Sequence, residues 1–298
     1  MPYKFDKLTA DQAKKLQAPG KLKPQWIVGF VDGDGCFSIV TPSEGGKRFC
    51  FVVSQHQRSG YVLYQLKDFF GCGNVHKTSG GMMEFRVETP NDLMTVIFPF
   101  FQQYPLQSCK IINLQEISDA LYLKLDIPNP FIFTNQNSDL YKDKDWLAGL
   151  VDSDGCFSFA LGSEKQVKAQ PQLVIVLSLR EKKMLEALAL HLKMGTIYIR
   201  KSGYVVFQIS KQEFHEIIIS ILTKRLKTTK RFSLWYFTAS LRCWQDYVRK
   251  AARFKRLYKN KDVVVSKITK FKKRMNTFPV KKTKLDTVNL KVEDKVQN

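Results

Sequence analysis

One fourteen-residue stretch, present twice, constrains this chain more than any other feature. Trp26 to Ile39 reads WIVGFVDGDGCFSI, and Trp146 to Phe159 reads WLAGLVDSDGCFSF. Nine of the fourteen positions are identical at a constant offset of 120, so the chain holds two copies of one unit. Each copy reads as a short apolar helix that stops at an Asp-x-Asp-Gly turn and enters a strand. Small residues lie four apart on each helix, Gly29 and Gly33 in the first, Gly149 and Ser153 in the second. That spacing lets two helix backbones approach closely. If the helices pack on each other, their C-terminal ends lie side by side and Asp34 meets Asp154.

The residues after each copy repeat as well. Cys36 to Thr41 alternates with Phe37 and Ile39 inward; Arg48 to Gln55 alternates with Phe49, Phe51 and Val53 inward and Arg48, Cys50, Val52 and Ser54 outward. A helix over 61–70, a hairpin over 74–88 and helices over 91–104 and 108–125 come next. The second copy has strands at 156–161 and 172–179, a helix at 181–192, a hairpin over 196–210, and helices at 213–222 and 229–253. Gly73 matches Gly195, Phe85 matches Phe207, and YPLQSCK at 104–110 matches KRLKTTK at 224–230. The expected fold is α+β: two pseudo-twofold-related αββαββα units, each a four-stranded antiparallel sheet with helices on one face. Residues 1–23 read as an arm, 24–125 and 145–250 as the units, and 126–144, rich in Pro and Asn, as a linker. The tail, 251–298, carries fifteen Lys/Arg against four acids. It reads as a solvated or partly helical basic extension in loose contact with nucleic acid.

Charge narrows the partner. Among 298 residues, 48 Lys+Arg against 27 Asp+Glu leave +21, which points to a polyanion. The positive charge is spread over the chain rather than gathered on one amphipathic helix, which argues against a membrane surface. No apolar run approaches membrane-spanning length. The N-terminus is a poor secretory or transit peptide, so the protein is expected to work where it is made. The six cysteines form no C-x-x-C pair and the four histidines no metal-ligand spacing.

The outward face of the first sheet carries Ser38, Arg48, Asn74, His76 and Arg86, and that of the second Ser158, Gln172, Tyr198, Arg200 and Gln208. Antiparallel sheets often leave such a face to water. Strand ribbons also fit the DNA major groove, where these side chains can bond base edges and phosphates. Asp34 and Asp154 end their helices, where the dipole favours a cation. Mg²⁺ takes oxygen ligands and keeps several waters, so few carboxylates suffice.

The nonapeptides IVGFVDGDG and LAGLVDSDG resemble the LAGLIDADG motif of homing endonucleases. Two copies at this spacing are similar to the single-chain, pseudo-symmetric members, from about residue 22 to about 245. The resemblance implies that Asp34 and Asp154 bind two or three Mg²⁺ ions, helped by the carbonyls of Gly33 and Ser153. Asp32 and Asp152 are expected to be structural, satisfying backbone at the helix end. Gln55 matches a polar position of the family's active-site water network, and its counterpart Leu177 departs from it. Lys227 matches a family lysine and faces Gln107 as its counterpart, while Lys110 and Lys230 match each other. The implied activity is Mg²⁺-dependent hydrolysis of both strands of a long, non-palindromic DNA site by a monomer, leaving 3′ overhangs. Such proteins are often encoded in organellar introns, which places this one in a mitochondrion or chloroplast. The alternatives are a maturase that binds intron RNA on the same scaffold, and a non-catalytic DNA-binding regulator, which the intact acids disfavour.

Overall fold

The computed structural model describes residues 20–43, 45–135, 139–161, 169–211, 214–253 and 261–275. Most of the expected arm, and the tail beyond 275, lie outside them. The central helix of the first unit, α1 (Pro24–Asp34), opens with Pro in its first turn, where a missing N–H costs nothing. It ends at Gly35, whose extended backbone (φ −77°, ψ 154°) runs straight into β1 (Gly35–Val40). A Cβ on Gly35 would clash with Val31, so the sharp exit needs glycine. β2 (Arg48–His56), α2 (Tyr61–Phe70), β3 (Asn74–Lys77) and β4 (Met82–Val87) follow. A π turn at Leu93–Ile97 then leads into α3 (Phe98–Gln103), and α4 (Lys110–Lys124) closes the unit.

The second unit repeats the order. Its elements are α5 (Lys144–Asp154), β5 (Gly155–Leu161), β6 (Ala169–Ser178), α6 (Lys182–Leu192), β7 (Thr196–Ile199), β8 (Tyr204–Ile209), α7 (His215–Leu222) and α8 (Lys230–Arg253). Unlike α1, α5 has a side-chain cap, Asp143 accepting from the backbone of Asp145 and Trp146. The sheets are ordered β1-β2-β4-β3 and β5-β6-β8-β7, all antiparallel.

The two central helices pack on each other, and every residue from 26 to 32 and from 146 to 152 is buried. An apolar helix covered on all sides belongs in a core. A Cβ on Gly29 would fall on the Trp146 carbonyl, and one on Gly149 on the Trp26 carbonyl. In the first unit Phe37, Phe51 and Phe101 pack edge and face, and Phe51 meets Phe70 and Phe85. Such ring pairs contribute beyond the area they bury. In the second unit Phe157 and Phe159 pack on Phe237.

Three expectations are corrected. Ile39, expected inward, is 39% exposed, because it lies at the far end of an edge strand beyond the helices. Cys50 and Val52 lie on the outward face as expected, but they are buried there rather than open to water, because β2 is a central strand between β1 and β4. The Cys50 thiol donates to Glu88 Oε1 at 3.2 Å under Arg86. The third correction concerns the tail. Within it, α9 (Lys261–Met275) is helical, as the partly helical reading allows, but it is not a loose extension: it packs on α8 through buried Ile268, Phe271 and Met275, a stripe at helical spacing. Phe271 lies against Trp235 and Tyr236, and Ser233 Oγ donates to the Met275 carbonyl. The linker covers α4 in the same way. Gln115 bonds the backbone of both Phe131 and Phe133, whose rings pack on Phe98. Each unit's last helix is thus sealed by the segment after it. Phe271→Ala should therefore cost about 3–5 kcal/mol of stability, whereas exposed Lys272→Ala should stay within roughly 0.5 kcal/mol. Denaturant unfolding of the two variants checks this, and equal small effects would mean that α9 is not docked.

Candidate active site and recognition faces

The helix pair brings Asp34 and Asp154 together. A Cβ on Gly33 would meet Ser153 Oγ and Asp154 Oδ2, so the ends of α1 and α5 are in contact. Burial, and then the neighbouring Asp154 charge, push the Asp34 carboxyl up from 3.8 to about 7. Burial also raises Asp154. Lys230 and Lys110 act against both shifts. Gln55 Nε2, at the end of β2, donates to Asp34 Oδ2. Asp154 Oδ2 is buried and has no hydrogen-bond partner among the described residues. The reason lies across the pseudo-twofold, where buried Leu177 occupies the position of Gln55 and has nothing to donate.

Lys110 Nζ donates to the carbonyls of Val31, at 3.1 Å, and Gly33, and Lys230 Nζ to that of Ser153. These carbonyls lie at helix C-termini, where positive charge is favoured; that of Val31 also accepts the Gly35 N–H. Burial pushes the Lys230 ammonium down, and Asp34, Asp152 and Asp154 hold it up. Lys227 and Gln107 are placed differently. The Lys227 side chain runs toward the start of α1, lining a cavity with Lys23, Trp26, Asp145 and Arg225. Gln107 Nε2 donates to Pro105 O within its own loop. The structure therefore gathers Asp34, Asp154, Gln55, Lys110 and Lys230, and leaves the side chains of Lys227 and Gln107 out.

Asp32 and Asp152 are buried, but they do not satisfy their own helix ends. Asp32 accepts from the backbone of Gln107 and Ser108, from Ser108 Oγ at 2.6 Å, and from Trp146 Nε1 at 2.8 Å. Asp152 accepts from the backbone of Lys227 and Thr228, from Thr228 Oγ1, and from Trp26 Nε1 at 3.0 Å. A buried carboxylate with this many donors is compensated rather than free. Sequence reasoning does not single out Trp26, Trp146, Ser108 and Thr228 as site residues. A signal exists all the same: the four fall at matching places in the repeat.

A divalent cation fits this centre. No cluster of three or more His, Cys, Asp or Glu exists among the described residues, so a closed protein cage is excluded there. Present instead are two adjoining carboxylates, one with an unpartnered buried oxygen, beside the carbonyls of Gly33 and Ser153. An all-oxygen, partly open donor set suits Mg²⁺. If the missing donor at Leu177 sets the difference between halves, Leu177→Gln gives Asp154 the partner that Asp34 has. The expected outcome is a thermal midpoint raised by a few °C in metal-free protein at neutral pH, from about 1 kcal/mol of hydrogen bonding. A lowered midpoint would show that the new amide cannot reach Asp154.

On the outward face of the first sheet, Asn74, Arg86, Val52 and Cys36 form one cross-strand row, and His76, Glu84 and Ser54 the next. Arg48 and His76 are exposed, Ser38 is half-buried opposite Cys50, and Asn74 accepts from Lys67. Arg86 bridges Glu84 at 3.0 Å and Glu88 at 2.9 Å, so its fork is already engaged. The second face aligns Cys156, Val174, Gln208 and Thr196. Here Tyr198 Oη donates to Gln208 Oε1, Ser158 Oγ to Gln172 Oε1, and Arg200 is exposed. The first face is charged, with Glu84 and Glu88 among its residues, and the second is largely neutral.

Two pseudo-twin units that share one helix pair and one acidic centre define a class, the single-chain double-motif fold. The chain belongs to the LAGLIDADG endonuclease family, whose model matches residues 27–121 and 147–241. The probable intron-encoded endonuclease Cox1-I1b of Schizosaccharomyces pombe is 26% identical over 156 residues, 45% of this chain and 40% of the relative. The intron-encoded RNA maturase bI4 of Saccharomyces cerevisiae is 25% identical over 198 residues, 65% of this chain and 28% of the relative. The chain therefore spans well under half the length of these relatives. The fold matches that of meganuclease I-SmaMI, solved bound to uncleavable DNA, with a TM-score of 0.69 at 21% identity, covering 88% of this chain and 99% of that one. Among the described residues no helix is long and apolar enough to cross a membrane.

Proposed function

We propose that the protein is a site-specific DNA endonuclease that hydrolyses both strands of a long, non-palindromic target with Mg²⁺. It acts as a monomer in the mitochondrion or chloroplast that makes it. The observation that carries this reading is the meeting of Asp34 and Asp154 at paired helix ends, with one buried carboxylate oxygen left to bind something else. Asp34, Asp154 and the carbonyls of Gly33 and Ser153 would hold the metal. When bound, the metal supplies an activated water and charge for the leaving oxygen. Gln55 orients the Asp34 carboxylate. Lys110 and Lys230 hold two ammonium groups beside the carboxylates, where a scissile phosphate needs positive charge.

The two outward faces are the proposed reading surfaces. Arg48, His76 and Arg200 are exposed on them and can meet phosphates or base edges, and Glu84 and Glu88 can accept from cytosine amino groups. Because the first face carries acids as well as cations and the second is largely neutral apart from Arg200, the half-sites they read differ. Membership of the LAGLIDADG family and the DNA-bound state of I-SmaMI support this reading.

The test uses DNA carrying the protein's own intron-insertion junction. Double-strand cuts are expected in Mg²⁺, and binding without cutting in Ca²⁺. Binding without any cut in Mg²⁺ would sink the nuclease reading. The match to RNA maturase bI4, over 65% of this chain, favours a second one. In that case the protein should bind its intron RNA and speed its splicing.

A further inference from the structure

We infer that Trp26 and Trp146 are positioning residues, each holding the catalytic lysine of the opposite unit in place through a buried aspartate. The inference rests on the nuclease reading for its functional consequence, but not for its geometry. Trp146 of the second unit donates its indole N–H to Asp32 Oδ2 at 2.8 Å in the first. Asp32 binds the backbone N–H groups of Gln107 and Ser108 and the Ser108 hydroxyl. Lys110 starts α4 two residues later and puts its ammonium on the Gly33 carbonyl, next to Asp34. The mirror path runs from Trp26 through Asp152 and Thr228 to Lys230 on the Ser153 carbonyl, next to Asp154.

The chemistry makes each link necessary. Asp32 and Asp152 are 1% exposed, so water cannot replace a lost donor. Removing one partner of a buried charged network costs more than the bond alone, because the remaining group is left undercompensated. Each aspartate sits one residue before the carbonyl that receives its unit's lysine. One helix end therefore grips the following segment twice, once at its backbone and once at its ammonium. Loosening the first grip shifts the second. The indole that supplies a donor always comes from the other unit, so neither half can place its lysine alone.

The paths do not share a residue, so damage to each should fall on one half. Trp146→Phe should disturb Lys110, and Trp26→Phe should disturb Lys230. Both keep the ring and remove only the N–H. A global loss of structure would affect both lysines alike. Two measurements on the full chain test this. The first is lysine acetylation by a soluble acetylating reagent, read by mass spectrometry without DNA. Lys110 should label several-fold faster in Trp146→Phe with Lys230 unchanged, and the reverse should hold in Trp26→Phe. The second is strand-resolved cleavage of a target plasmid in Mg²⁺. Each variant should accumulate nicked circles through slowing of one strand by about tenfold, on opposite strands, with DNA affinity kept within about twofold.

Should a tryptophan variant fail to fold, Ser108→Ala and Thr228→Val break the same paths at a later link and should give the same two patterns. Equal labelling of both lysines in every variant, or slowing of the same strand in both tryptophan variants, overturns the inference. Wild-type protein that labels as expected but never cuts overturns the nuclease reading and leaves the positioning intact.

Discussion

Asp34→Asn and Asp154→Asn should each abolish DNA cleavage, by at least about a thousandfold, while DNA binding stays near the wild-type level. The loss follows from removing a ligand that carries several kcal/mol of charge stabilisation, at about 1.4 kcal/mol per tenfold in rate. Binding survives because contacts with the phosphate backbone dominate affinity, and the proposed ones lie on the sheet faces and lysines. A gel-shift assay beside a cleavage assay separates the two quantities. Undiminished cutting by either variant would remove the metal assignment.

The same pair gives a pH dependence. With a folded-state value near 7 against 3.8 in the free carboxyl, Asp34 holds a proton that the unfolded chain has released. Its contribution to stability is therefore present below about pH 4 and is lost as pH rises through about 7. Metal-free protein should lose stability across that window, and added Mg²⁺ should restore it only above it, where Asp34 is ionised. Thermal melts with and without Mg²⁺ from pH 5 to 8 read this directly. A metal effect as large at pH 5 as at pH 8 would contradict the shared site.

Gly29→Val should produce a large loss of stability, as should its mirror Gly149→Val. The added carbons would land on the Trp146 carbonyl, which is main chain and cannot rotate away. Relieving the clash means separating the two central helices, which bury Trp26, Phe30, Trp146 and Leu150 between and around them. Overpacking ordinary cores costs about 1–3 kcal/mol, and a backbone clash at the centre should exceed that range. The expected result is a thermal midpoint lowered by at least about 10 °C, or no soluble folded protein. Gly45→Val is the control, since a Cβ there meets nothing within 4 Å. Its cost should come only from the positive φ of 87°. A Gly29→Val protein as stable as Gly45→Val would mean the helices are not in backbone contact.

Much of this is legible in the residues themselves, for a physical reason. Gly29, Gly33, Gly149 and Ser153 state a backbone spacing, and a spacing repeated in two copies leaves few ways to pack. The meeting of Asp34 with Asp154 follows from it. The hairpin pairing is legible because alternation in β4 and β6 has a single buried face. The lysines are not legible in the same way. Lys227 and Lys230 lie three residues apart at the start of one helix, and composition does not say which one turns to the carboxylates. Asp152 decides it, by binding the backbone of residues 227 and 228 and so fixing where that segment begins its helix. The tail misleads because Val264, Ile268, Phe271 and Met275 lie thinly among lysines, and their partners Trp235 and Tyr236 are some thirty residues away. Arg86 reads as a lone cation although Glu84 and Glu88 flank it at strand spacing. Alternation shows which face they share, but not that they pair.

Because each closing helix waits for the stretch after it, the halves mature at different times on the ribosome. The first gains its aromatic lid, Phe131 and Phe133, while most of the second is still untranslated. The second stays unsealed until Met275 has emerged. A nascent chain released before Lys261 would carry a finished amino-terminal half and a bare hydrophobic strip along α8, a form that quality control should capture selectively.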